Sequence, residues 1–154
     1  MKVEVIIEAT ADELYTLLIH SAKHDIERAI EQEVSLEELV SGYTYKKKLT
    51  NKLGKEANAT GTLTKIEKPH IYEAEFITGR GINRIAYHLK PLEDGYLGVT
   101  YSEAYEPVSK NADLNFKLVN FFYKRSNKKR MIGLIRMMEA HIRKEREEEK
   151  ESSA

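Results

Sequence analysis

Apolar and polar residues alternate at the start of the chain, with Val3, Val5, Ile7 and Ala9 set against Lys2, Glu4 and Glu8. A period of two belongs to a strand with one buried face, so residues 2–9 read as a half-buried strand. The period then lengthens. Leu14, Leu18, Ala22, Ile26 and Ile30 recur at helical spacing to about residue 31. Thr10 and Glu13 stand just ahead of that stripe at the spacing of a capping box. Ser35 and Glu38 repeat the arrangement and open a short second helix that Gly42 stops. The first connection is therefore predicted to be a pair of short helices rather than a hairpin.

The period of two returns after Gly42. Tyr43, Tyr45 and Leu49 share a face in 43–50, a turn follows at 51–55, and 57–67 forms the next strand until Lys68-Pro69-His70 breaks it. Tyr72, Ala74, Phe76 and Thr78 share a face in 71–78. Gly79-Arg80-Gly81 reads as a turn whose glycines admit positive φ. Ile85, Tyr87 and Leu89 share a face in 82–90, Asp94-Gly95 is a strong hairpin signal, and Leu97, Val99, Tyr101 and Glu103 share a face in 96–105. Short loops between successive strands predict antiparallel pairing. From about 113 to 148 the pattern is helical, in two stripes: Leu118, Phe121 and Phe122, then Met131, Ile132, Ile135, Met138 and Ile142. Arg125 to Lys129 interrupts them and predicts a kink, a break or an exposed turn, with no proline to force it.

At 154 residues, with no repeat and no linker, residues 1–144 read as one domain and 145–154 as a charged tail expected to fray. A chain of this size buries roughly 70% of its unfolded surface, enough for a core with a pocket in it. The absence of cysteine excludes disulfides, thiolate metal sites and a Cys nucleophile, and suits a reducing compartment. The N-terminus lacks the apolar run of a signal peptide or membrane span, so cytoplasmic residence without membrane insertion is expected. Net charge is zero but segregated. Lys117, Lys124, Arg125, Lys128, Lys129, Arg130 and Arg136 have no acid among them, and Glu145, Glu147, Glu148 and Glu149 follow.

Strand, helix pair, antiparallel meander and long terminal helix together resemble the helix-grip architecture of the START-like superfamily, which includes birch-pollen-allergen-like proteins, polyketide cyclases and lipid-transfer domains. The run Tyr87-His88-Leu89-Lys90-Pro91-Leu92-Glu93-Asp94-Gly95, leading into Val99-Thr100-Tyr101-Ser102-Glu103, looks like the central hairpin of such proteins. The block from Phe121 to Met138 looks like their terminal helix. The likeness covers the chain to about residue 144. More narrowly, the chain is similar to an uncharacterised bacterial family of small single-domain proteins. The resemblance implies an α+β fold: a curved antiparallel sheet of six or seven strands wrapped around the C-terminal helix, with a cavity for an apolar or amphipathic small molecule. The best-known members have seven strands, whereas six are counted here. No catalytic residue carries over.

Seven of the nine tyrosines fall in predicted strands. One reading is a cavity lined by Tyr45, Tyr72, Phe76, Tyr87 and Tyr101 and closed by Phe122, Ile135 and Met138, since tyrosine offers an apolar ring with a polar tip. The plainer reading is that aromatics favour strands and fill the core. Glu103 shares the inner face, where it is either an acid or base near a pocket or a strand-end carboxylate in water. Arg84 and His88 are nearby but point the other way by alternation. His20 and His24 are four apart on a helix, with Asp25 or Glu27 as an accidental third ligand; without a metal motif they read as surface histidines, and no metal or cofactor is expected. The basic run 124–130 suits phosphates or a membrane face, but zero net charge and the lack of a nucleic-acid motif favour a solvated helix face, so no nucleic-acid partner is expected. The leading expectation is a binder of a small amphipathic ligand. The runner-up is a protein-interaction module using the face from Lys117 to Arg136. An enzyme of the cyclase or hydratase kind, using Glu103 or a pocket tyrosine, comes third.

Overall fold

The computed structural model describes residues 1–50, 54, 56–108 and 113–153, with the side chains of the terminal helix described from residue 127 onward. The elements in chain order are β1 (Lys2–Glu8), α1 (Ala11–Ile30), a 3-10 turn at Leu36–Glu38, β2 (Thr44–Thr50), β3 (Glu56–Glu67), β4 (Ile71–Thr78), β5 (Gly81–Pro91), a 3-10 turn at Glu93–Gly95, β6 (Tyr96–Pro107) and α2 (Asp113–Ser152). The strands fall within a residue or two of their predicted bounds because alternation is strict where one face is buried: β1 alternates buried and exposed along its whole length.

The helix pair is unequal. α1 runs for 20 residues, while the second member is a single 3-10 turn. At the start of α1, Thr10 Oγ1 accepts the Glu13 backbone N–H at 3.1 Å and the Thr10 N–H donates back to Glu13 Oε1 at 2.8 Å, which satisfies two otherwise orphaned donors. The length of α1 follows from topology. The sheet has the order β1-β6-β5-β4-β3-β2, so consecutive strands β1 and β2 lie at opposite edges. Five strand spacings of about 4.8 Å span roughly 24 Å, and a 20-residue helix covers roughly 30 Å. All pairings are antiparallel. At the β5–β6 hairpin, Asp94 and Gly95 both take positive φ (59° and 79°), matching the twist of the strands they join. The β4–β5 turn differs from expectation. Neither Gly79 nor Gly81 takes a positive φ; Gly81 is needed instead because a Cβ there would meet the Glu106 carbonyl oxygen at 2.4 Å.

Of the kink, break or exposed turn expected around Arg125 to Lys129, α2 shows no break: it is one helix from Asp113 to Ser152. Lys128 to Arg130 face solvent while Asn127 is buried one step away, so the polar run keeps its helical bonding and turns its charges outward. Leu118, Phe121 and Phe122 lie outside the described side chains. Met131, Ile135 and Ile142 enter a single core with Leu14, Leu18 and Ile26 of α1 and the inner face of the sheet. α2 also seals part of the β1 edge. Arg136 donates to the Ile6 carbonyl at 2.9 Å, and Glu139 accepts the Glu8 N–H at 2.6 Å. These are free-edge groups, left by the pairing of β1 with β6.

Candidate functional site

Register places the candidate residues in rows across the inner face. One row is Tyr72, Tyr87 and Tyr101, on β4, β5 and β6. The next is Leu63, Ala74, Ile85 and Glu103, and the third is Tyr45, Gly61, Phe76, Asn83 and Tyr105. The first row is a packed aromatic ladder. Tyr72 meets Tyr87 edge-on with centroids 6.2 Å apart, and Tyr87 lies 4.9 Å from Tyr101. Tyr45, Tyr72, Tyr87, Tyr101 and Ile135 are buried, while Phe76 and Met138 are partly buried against the same core. Phe122 lies outside the described side chains. The structure thus brings the four tyrosines onto one face, in contact with the core rather than standing free of it.

Each end of the tyrosine surface meets a carboxylate. At the β6 end, the Tyr101 hydroxyl donates to Glu103 Oε2 at 3.0 Å. Burial pushes the Tyr101 hydroxyl well above its usual value, and the Glu103 charge adds to the effect. Tyr87 is pushed up to about 12 by burial and by the same carboxylate. Arg84 and His88 lie on the outer face, where Arg84 pairs with Glu75 and Glu106 and His88 with Glu73. Neither reaches Glu103. At the β2 end, Tyr45 donates to Asp25 Oδ2 at 3.0 Å, and Lys47 Nζ lies 2.7 Å from both Asp25 oxygens. Lys47 also sits 5.5 Å above the Phe76 ring, a cation–π distance. Burial, then Asp25, holds the Tyr45 hydroxyl high.

Beside the tyrosine ladder lies a pocket of about 250 Å³, lined by Lys47, Leu49, Phe76, Thr78, Gly81, Asn83 and Tyr105. Asn83 Oδ1 is buried and has no hydrogen-bond partner, alone in that respect among the described residues. Tyr105 donates to the Arg80 carbonyl at 3.2 Å. An open cleft of about 880 Å³ lies on the other side of Lys47, between the end of α1 and β2. Of the residues expected to line a cavity only Phe76 lines this pocket; Lys47, Leu49, Thr78, Asn83 and Tyr105 are residues that sequence reasoning passed over as pocket groups. Alternation gave one signal, because Asn83 is the polar residue on the face of Ile85 and Tyr87. His20 and His24 are both exposed, and no cluster of three metal-ligating residues forms among the described residues.

A family model described as Domain of unknown function (DUF3284) matches residues 1–124. No curated protein matches. Among solved structures, the chain is similar to Ara h 8.0201 at 12% identity, covering 92% of this chain and 95% of that one with a TM-score of 0.58. A conserved protein from Geobacillus kaustophilus matches at 18% identity over 93% and 94% of the two chains, TM-score 0.57. A protein from Arthrobacter aurescens matches at 16% identity over 93% and 85%, TM-score 0.57. At such identities the likeness concerns the fold, which is the α+β helix-grip fold of START-like type.

Proposed function

The chain belongs to the DUF3284 family of domains of unknown function, and from that premise we propose that it binds a small amphipathic molecule against the inner face of its sheet. The observation that carries the reading is the Asn83 Oδ1 acceptor, buried and unpaired in a pocket whose wall also includes Lys47, Leu49, Phe76, Thr78 and Tyr105. Burying such an acceptor unpaired costs about 1–3 kcal/mol, a cost that a ligand donor offsets. The ligand then has an apolar body that lies on Phe76 and a hydroxyl, amine or amide hydrogen that reaches Asn83. At about 250 Å³ the described pocket falls below the roughly 300–1,000 Å³ common for ligand sites, so it takes a very small molecule or one end of a longer one.

The test is native mass spectrometry of the protein purified from cells, beside its denatured mass. A stoichiometric adduct that leaves on denaturation, and that Asn83→Leu abolishes while the variant melts at or above the wild-type temperature, is the expected result. The reading fails if the native mass is bare and no compound from a panel of small apolar alcohols, amines and amides shifts the melting temperature. It also fails if Asn83→Leu retains the adduct.

A further inference from the structure

α2 keeps a face that nothing among the described residues covers. Its core side carries Met131, Ile135 and Ile142. On another side Arg130, Leu134, Met137, His141, Lys144 and Glu148 are all exposed, Met137 at 68%. These six positions advance by alternating steps of four and three and so form one stripe of the helix, apolar at Leu134 and Met137 and charged at its ends. Gly133 stands beside Met137, and a Cβ added there meets nothing within 4 Å, so the helix surface is low at that point.

Charge decides what packs there. Residues 128–130 are Lys, Lys and Arg, whereas Glu145, Glu147, Glu148, Glu149 and Glu151 crowd the other end. Acids at a helix C-terminus oppose the macrodipole, and Lys150 is the one base in the last turn. The ion pairs formed by the described part of α2 use Arg136, Glu139, His141, Arg143, Glu145 and Arg146. Arg130, Lys144 and Glu148 are left without one among the described residues. Along this stripe Arg130 at one end and Glu148 at the other are opposite in sign, so the two ends are complementary when a second copy is turned around. Set antiparallel, Met137 meets His141 of a second copy, Leu134 meets the stem of Lys144, and Arg130 meets Glu148. Two-fold symmetry then makes each of these contacts twice.

We propose that two copies of this chain associate through antiparallel α2 helices along the stripe from Arg130 to Glu148. Sedimentation equilibrium across a concentration series tests it. Wild type is expected to move toward twice its 17.8 kDa as concentration rises. Met137→Glu is expected to stay at the monomer mass with an unchanged melting curve, because the side chain faces away from the core. Arg130→Glu places like charges opposite each other at both ends and is expected to raise the dissociation constant about tenfold or more. Adding Glu148→Arg to it is expected to restore association. A wild type that remains monomeric throughout overturns the proposal, as does a dimer indifferent to Met137→Glu or a double reversal that fails to recover.

Discussion

Gly61 shows how one missing side chain shapes the β2 end of the inner face. A Cβ built there would stand 2.7 Å from the Tyr45 ring, so only glycine lets that ring lie across β3 and reach Asp25. Gly61→Ala is expected to destabilise by about 1–2 kcal/mol, with the overpacking cost exceeding the gain from restricting the unfolded chain. In a Tyr45→Leu background the same change should be close to neutral. Denaturant unfolding of the four proteins measures the coupling, and additive effects would show that the close approach relaxes at no cost. Little of this was legible beforehand. Alternation placed Tyr45 on the inner face correctly, but Asp25 belongs to α1 and lies off its apolar stripe, so only the packing of α1 against β2 unites them. Asn83 carried a local signal, a polar residue at an inner position, which the nearby tyrosines overshadowed.

Among elements, the junction of α1 with α2 depends on Glu13. Its carboxylate closes the capping box of α1 and also receives the Arg146 guanidinium, through both Nε (2.6 Å) and an Nη hydrogen. The Arg146 hydrogen bonds, together with those from Thr10, hold the Glu13 carboxyl below its usual 4.5 despite partial burial. A depressed carboxylate contributes stability that is fully present above the unfolded value and lost as pH falls through the folded one. Below about pH 4.5 this contribution should therefore fade. Glu13→Gln is expected to lower the melting temperature at neutral pH and to flatten its decline in acid relative to wild type. Parallel acid limbs for the two proteins would refute the assignment. The capping box was plain in the sequence because its two residues are three apart; Arg146 was not, since 133 residues separate it from Glu13. In α2 the polar residues Lys128 to Arg130 form an exposed stretch of unbroken helix, one of the alternatives its pattern left open. An apolar stripe marks only the length of helix that has a core beneath it, and helical bonding continues past where the core ends.

At the scale of the whole molecule, the strand meander, its antiparallel pairing and the helix after β1 were legible because each rests on period and turn chemistry. The sheet order was not, since adjacency of β1 to β6 depends on which edges remain once the meander has formed. Closing the molecule this way buries Tyr15, Tyr45, Tyr72, Tyr87 and Tyr101, and burial is the largest cause raising each hydroxyl above the ordinary value of 10.0. A raised folded value means stability that is complete below the unfolded pKa and lost as pH climbs past it. In an alkaline titration followed by tyrosinate absorbance, these five should ionise only together with loss of near-ultraviolet circular dichroism; ionisation ahead of that loss would place them in water. The pairing of β1 with β6 has a further consequence, in time. β1 meets partners 88 to 100 residues downstream, from Glu8 with Tyr96 to Lys2 with Ser102. At about 5–20 residues per second, a ribosome makes the first strand roughly 5–20 s before it makes the strand that will hold it. Throughout that wait Val3, Val5 and Ile7 have no β6 to join, so the nascent chain carries an unclaimed sticky end until the last strand has been made and has emerged.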